Sequence, residues 1–253
     1  MSTESGKYLF CIIQTNEEKT FGKAKLAGEH RKVYTISHKG VSMVVADAPV
    51  EIYEPSRQNV KAHQEMVASV MEQFTVIPMS FGNVLKGEED VKILLEKLLP
   101  QCDEIFPRID NKIEVGLKLI GKKEWIEKQA KEQPALKHLE SNVAQRNKDA
   151  RYYEKIRLGE AARNFMVALQ VEFEEEIFNP LAKIADAAKS NEAISERMLL
   201  NGAFLVDKEK EEEFDKKVNE LYEKWKEQID FKYTGPWPAY NFIDIKLKAA
   251  EGV

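Results

Sequence analysis

An apolar run near the N-terminus constrains the fold more than any other feature of the sequence. From Tyr8 to Ile13 both alternating sets of side chains are apolar, so a strand formed here would have two apolar faces. Such a strand needs cover on both sides, which is the position of a strand inside a sheet rather than at its edge. We therefore predict a central strand at residues 7–14.

The residues that follow predict further strands and a helix. A polar stretch, Thr15–Arg31, precedes two apolar runs that flank a turn at Ser37–Gly40. This pattern indicates a β-hairpin. Apolar residues at helical spacing then predict a helix over Ser56–Phe74, and the pattern ends in a short strand at Thr75–Met79.

A second helix and another strand complete the first half. The helix begins at the acidic residues Glu88–Asp90, where a helix N-terminus favours negative charge, and Pro100 interrupts its apolar stripe. Apolar and polar residues alternate over Lys112–Ile120. This alternation predicts a half-buried strand with Glu114 and Lys118 on the solvent side.

The composition changes after this strand. Charged and amide residues dominate from Lys122 to Lys155, whereas Tyr153–Ile184 carries a broader apolar face. We predict that the two segments pair as an antiparallel, coiled-coil-like helical hairpin. An apolar strand at Met198–Val206 and a charged helix from Asp207 to Lys226 follow.

These elements predict an α+β protein with two domains. The first, residues 1–121, is expected to be a ferredoxin-like sheet with helices. The second, residues 122–253, is expected to combine the helical hairpin with a small α+β unit. The charge-rich segment that begins the second domain marks the boundary.

Charge and cysteine usage exclude several classes of protein. Lys and Arg number 38 against 43 Asp and Glu, so the net charge of -5 argues against a nucleic-acid-binding groove. The first apolar run is too short for a signal peptide or a membrane span, so we expect a cytoplasmic protein without a membrane partner. Cys11 and Cys102 are expected to be reduced and buried.

The sequence lacks the common motifs for metal binding, phosphate binding and a nucleophilic serine. Neither cysteine has a CxxC partner, the phosphate signatures GxGxxG and GxxxxGK[ST] do not occur, and Ser80 lies in no GxSxG motif. The four histidines, His30, His38, His63 and His138, are scattered. We therefore predict no metal, no cofactor and no catalytic residue. His63 could serve a site with Arg57 and Asn59, but we favour a structural role in its helix because no titratable partner is identifiable.

Two segments combine proline, glycine and aromatic residues. They are Thr75–Gly82 and Thr234–Phe242, and such composition fixes the backbone while presenting large apolar side chains. Turns that close a core have this composition, and so do the rigid anchors of protein interfaces. The candidate interface residues are Pro78, Met79, Phe81, Gly82, Gly235, Pro236, Trp237, Pro238, Tyr240 and Phe242.

Five stretches, taken in order, resemble the gas vesicle accessory protein family of the F/L type (GvpF/GvpL). They are Gly6–Phe10, Arg57–His63, Val76–Gly82, Glu114–Lys118 and Thr234–Phe242. The resemblance implies a two-domain, non-enzymatic protein that helps assemble the gas vesicle. It also implies contact with the main hydrophobic shell protein and with other gas vesicle accessory proteins, and hence a place at the vesicle. The family often has a basic residue where this chain has Ser80, and a proline where it has Ala239.

Two other functions stay open at the level of sequence. A small-molecule-binding enzyme on a ferredoxin-like scaffold would need a closed pocket with perturbed titratable groups. A nucleic-acid-binding module could present aromatic residues on a sheet, but the charge of -5 and the lack of an RNP-like sequence count against it.

Overall fold

The chain divides into two compact units. The computed structural model describes residues 5–26, 28–145 and 148–245, with side chains outside 142–151. The first unit combines Met1–Glu114 with Pro236–Val253, and the second is Val115–Gly235. Residues from 236 onward thus group with the N-terminal part, whereas the division predicted from sequence assigns them to the second domain. Whether 1–121 and 122–253 fold as separate domains stays a prediction.

A six-stranded sheet forms the centre of the first unit. Its strands are β1 (Ser5–Ile13), β2 (Thr20–Leu26), β3 (Glu29–His38), β4 (Val41–Pro49), β5 (Val76–Pro78) and β6 (Val84–Leu85). They lie in the order β2-β3-β4-β1-β5, with β6 also paired to β1. Strand β1 is central and pairs antiparallel with β4, β5 and β6. The predicted central strand and hairpin are confirmed.

Strand β2 was missed in the polar stretch Thr15–Arg31. Only Ala24 and Leu26 of its seven residues are buried, so the strand has no continuous apolar pattern. It pairs antiparallel with β3, and Gly28, directly before β3, has a φ of 81°. Pairing with a neighbouring strand, rather than burial of its own side chains, stabilises β2.

Two helices cover this sheet. Helix α1 spans Arg57–Met71, and the side chain of Ser56 caps it by accepting a hydrogen bond from the Asn59 amide. Helix α2 spans Glu88–Ile109 and passes through Pro100, so the predicted interruption is wrong. A proline inside a helix costs about 3 kcal/mol. Seven buried side chains along α2 outweigh that cost, at roughly 1.5–3 kcal/mol each for a large apolar residue.

The second unit contains most of a four-stranded sheet, and five helices within the described residues. The strands are β7 (Lys112–Gly121), β8 (Ala187–Ser190), β9 (Met198–Asp207) and β10 (Ile229–Trp237), in the order β10-β7-β9-β8. The helices are α3 (Lys123–Glu132), α4 (Pro134–Gln145), α5 (Lys148–Phe173), α6 (Asn179–Ala182) and α7 (Glu211–Trp225). A π-helical turn, Glu174–Phe178, joins α5 to α6. Strands β7 and β9 confirm two sequence predictions, whereas β8 was missed.

The core of the second unit is rich in aromatic residues. Phe173 contacts Trp225 with ring centroids 4.9 Å apart, and Phe204 contacts Phe178 and Phe214 at 5.2 Å. Helix α4 packs against α5. None of the helices in the described part of the chain is long and apolar enough to cross a membrane.

Candidate interaction site

The first aromatic segment forms a loop that is fixed on both sides to the central strand. The Met79 amide donates to the Phe10 carbonyl, and the Leu9 amide donates to the Asn83 carbonyl, each at 2.9 Å. Between these two bonds the chain leaves the sheet and turns at Gly82, whose φ is 85°. A side chain would strain that conformation, so the turn requires glycine.

A buried tyrosine and a buried histidine hold the inside of this loop. Nε2 of His63 lies 3.1 Å from the Met79 carbonyl, which can only accept, so Nε2 carries the proton and donates. Nδ1 is then an acceptor, and it receives the hydroxyl proton of Tyr8 at 3.0 Å. The Tyr8 oxygen in turn accepts from the Gly82 amide at 3.1 Å. One relay of hydrogen bonds therefore fixes both ends of the segment Met79–Gly82.

Aromatic rings surround His63 and keep it neutral. Phe10 stacks on the imidazole at 5.5 Å, and Tyr8 and Phe81 meet it edge-on at 5.7 and 5.9 Å. Burial lowers the pKa of His63, and the hydrogen bond to the Met79 carbonyl only partly opposes this effect. Burial also raises the pKa of Tyr8 to about 12. His63 thus has the structural role predicted from sequence, although it does have a titratable partner, Tyr8, which the sequence did not reveal.

A buried carboxylate anchors the second aromatic segment. Glu114 is 5% exposed, and its two oxygens accept from the amide and the side-chain nitrogen of Asn241 at 2.7 and 2.5 Å. The segment then makes a short helical turn, in which the Phe242 amide donates to the Ala239 carbonyl. The prediction that Glu114 faces solvent is therefore wrong, because two hydrogen bonds stabilise its carboxylate inside the protein.

The two segments meet in one cleft of the first unit. It has a volume of about 400 Å³ and is lined by Pro78, Met79, Ser80, Asn83, Tyr240, Ile243, Asp244 and Ile245. Three of the predicted interface residues, Pro78, Met79 and Tyr240, lie in this lining. The apolar members form the walls, and Ser80, Asn83 and Asp244 supply polar groups.

The other predicted residues differ in exposure. Phe81, Gly82 and Phe242 are half-buried, and Pro238 is buried. Gly235, Pro236 and Trp237 are exposed, with 36% of Trp237 accessible to solvent. Trp237 is thus the large apolar side chain among the candidates that remains open to a partner.

Sequence reasoning missed three residues that build the site. They are Tyr8, Glu114 and Asn241, and each is joined to its partner from a distant part of the chain. The polar tip of Tyr8 in an otherwise apolar strand and the carboxylate of Glu114 in an alternating strand were the available signals. Buried polar groups need hydrogen-bond partners, so both positions imply a bonded neighbour once burial is known.

Within the described ranges no group of three or more His, Cys, Asp or Glu residues could hold a metal ion. Cys11 and Cys102 are buried free thiols, as expected from sequence. Burial raises the pKa of Cys102 to about 11 and that of Cys11 further, so neither is a reactive thiolate near neutral pH. The two cysteines therefore act as apolar core residues.

Solved structures share this fold, and a sequence relative matches nearly the whole chain. A crystal structure of the gas vesicle protein GvpF from Anabaena sp. PCC7120 superposes with a TM-score of 0.81 at 25% identity, covering 96% of this chain and all of that one. GvpF from Microcystis aeruginosa gives a TM-score of 0.79 at 22% identity, over 95% of this chain and 99% of that one. Gas vesicle protein F1 of Halobacterium salinarum is 26% identical over 247 residues, which are 96% of this chain and 95% of the relative.

By its fold and its relatives, this is an α+β protein of the gas vesicle accessory class. The family described as "Gas vesicle synthesis protein GvpL/GvpF" matches residues 6–244. The chain therefore belongs to the GvpL/GvpF family, and its role lies in gas vesicle formation.

Proposed function

We propose that this protein is a non-enzymatic assembly factor that binds the main hydrophobic shell protein of the gas vesicle. The observation that carries the proposal is the cleft where two rigid, apolar segments meet, one of which also carries the exposed Trp237. Rigid aromatic side chains are common interface anchors, because little conformational entropy is lost when they bind. A hydrophobic subunit needs such a surface to cover it before assembly.

The construction of the cleft supports this proposal. One wall is fixed by the hydrogen bond that His63 donates to Met79 and by the one that Tyr8 accepts from Gly82, and the Glu114–Asn241 pair fixes the other wall. An interface made of pre-positioned elements binds with a smaller ordering cost than a flexible loop would. The polar groups of Ser80 and Asn83 at its border suit the polar rim of a protein interface.

We further propose that the protein contacts other gas vesicle accessory proteins and acts at the vesicle. The family match over residues 6–244 supports this, as do the names of the relatives. The alternative, a small-molecule-binding enzyme, is less well supported, because the cleft holds no grouping of acid, base and nucleophile among its lining residues.

The finer fold assignments belong with this proposal. Strand β4, helix α1 and strand β5 form a crossover past β1, which supports a ferredoxin-like first domain. Packing of α4 on α5 supports the coiled-coil-like hairpin in the second domain.

The test compares binding with stability in paired variants. We expect Trp237→Ala to abolish or greatly weaken co-purification of the full chain with the shell protein, since truncating an aromatic anchor commonly costs about 2 kcal/mol or more. Its melting temperature should fall much less than that of a core variant, because 36% of Trp237 is accessible to solvent. Ile93→Ala is the matched control, since Ile93 is also an exposed apolar residue of the first unit, at 53%.

Phe81→Ala separates the two interpretations of the first segment. Phe81 packs on Tyr8 and His63, so its loss should lower stability as well as binding. If Trp237→Ala lowers the melting temperature sharply, or if both variants bind the shell protein normally, the segments are structural turns and the proposal fails.

A further inference from the structure

Helix α5 has apolar residues on two of its faces. Leu169 and Phe173 on the inner face are buried. Tyr152, Ile156 and Val167 are exposed, as is Val171, with 44% to 65% of each side chain accessible. A helix that is apolar on several sides is normally buried, so a second apolar face in solvent calls for a partner.

The exposed residues lie on one face of the helix. At 3.6 residues per turn, Tyr152, Ile156, Val167 and Val171 fall within an arc of about 100°. Glu160 and Arg163 lie between them on the same arc, and both are exposed. We call these six residues the outer face of α5. It extends about 30 Å along the helix.

The outer face keeps the same order of apolar and charged positions when the direction of the helix is reversed. The spacing from Tyr152 to Val171 is four, four, three, four and four residues, which is symmetric about the midpoint between Glu160 and Arg163. Reversing the helix therefore places apolar residues on apolar residues, and exchanges Glu160 with Arg163. This is the pattern required of a surface that meets a second copy of itself around a two-fold axis.

We propose that two copies of this chain associate through the outer faces of α5, packed antiparallel. In this arrangement Glu160 of one copy faces Arg163 of the other, twice by symmetry. Ile156 meets Val167 on either side of these charges, and Tyr152 meets Val171 at the ends. Parallel packing would instead place Glu160 against Glu160, and like charges opposite each other disfavour it.

Charge complementarity indicates that the partner of the outer face is a second copy of the chain. No ion pair within the described residues involves Glu160 or Arg163, so both are available to a partner. One helix from each copy makes a small interface, of the size seen in weak and transient complexes. We therefore expect self-association at tens to hundreds of micromolar protein.

The test uses sedimentation equilibrium of the full chain over this range. The wild-type mass should rise with concentration toward that of a dimer. Glu160→Lys and Arg163→Glu should each raise the dissociation constant by about tenfold or more, because each replaces two attractive contacts by two repulsive ones. Lys155→Glu, an exposed charge reversal on the same helix but off the outer face, should change nothing.

Mixing the two charge variants gives the decisive result. The Glu160→Lys chain carries two positive charges on its outer face, and the Arg163→Glu chain carries two negative charges there. The mixture should therefore form a heterodimer although neither variant self-associates, and the double variant Glu160→Lys/Arg163→Glu should dimerise again because both contacts regain opposite charges.

Three results would overturn the proposal. They are a wild type that stays monomeric throughout the concentration range, charge variants that associate like the wild type, and a mixture of the two variants that fails to associate. Thermal unfolding of each variant confirms that it is folded, so a loss of association cannot be attributed to a loss of structure.

Discussion

Replacing His63 by phenylalanine tests the relay that holds the aromatic loop. Phenylalanine keeps a ring beside Phe10 and Phe81 but removes both nitrogen atoms. The Met79 carbonyl then loses its donor and the Tyr8 hydroxyl loses its acceptor. Each buried polar group left without a partner costs about 1–3 kcal/mol. We expect His63→Phe to lower the free energy of unfolding by roughly 2–6 kcal/mol at pH 7.5.

The decrease in the free energy of unfolding caused by His63→Phe should become smaller as the pH falls. Burial keeps the pKa of His63 in the folded protein below its ordinary value of 6.5. The unfolded chain therefore takes up a proton first, and the wild type loses stability as the pH falls through 6.5 toward the folded pKa. The phenylalanine variant lacks this contribution. The difference between the two proteins should thus be larger at pH 7.5 than at pH 5.5.

Urea denaturation followed by circular dichroism at both pH values measures this difference. The remaining histidines are present in both proteins, so their contributions cancel in the comparison. His138→Phe is the control, because His138 is exposed and should give little change at either pH. Tyr8→Phe combined with His63→Phe should cost less than the sum of the single changes, since the two residues share one hydrogen bond. A difference that is equal at both pH values, or larger at pH 5.5, would refute the neutral relay.

Three further predictions concern the second anchor, ligands and the domain boundary. Glu114→Gln should lower the free energy of unfolding by about 1–3 kcal/mol in urea, because its amide nitrogen would face a donor of Asn241; an unchanged value would show that the pair does not anchor the segment. The melting temperature should not change on addition of EDTA or of ATP with magnesium. A shift of several degrees with either would indicate specific binding and would support the alternative that the protein is an enzyme. Limited proteolysis should cut first within Gly121–Lys148, and first cuts inside residues 40–120 would contradict the predicted division.

Local sequence patterns were enough to predict the helices and strands whose buried positions are occupied by a regular series of apolar residues. Strand β1 was predictable because both of its faces are buried, and β9 and α7 have clear apolar patterns. Strands β2 and β8 are partly exposed, and the sheet stabilises them through pairing with neighbours. Such pairing leaves little trace in the residues of the strand itself.

The candidate site was predictable as two segments but not as one cleft. Proline, glycine and aromatic residues identified Thr75–Gly82 and Thr234–Phe242 in the sequence. Their meeting depends on long-range hydrogen bonds, from His63 to Met79 and from Asn241 to Glu114. No local pattern encodes these bonds, because the residues that form each one lie in different elements.

The same reasoning explains the error at Glu114. An alternating strand predicts polar residues on the solvent side, and a carboxylate is rarely buried. Asn241 changes the outcome because it supplies two donors to the two oxygens. Its position 127 residues further along the chain could not be inferred from the strand.

Amide hydrogen exchange of the full chain with and without the shell protein tests the central claim most directly. If the cleft binds that protein, amides in residues 79–83 and 237–245 should exchange more slowly in the complex than in the free chain. The outer face of α5 should be unaffected at concentrations where the chain is monomeric. Protection confined to other parts of the chain, or no change on addition of the shell protein, would contradict the proposed function.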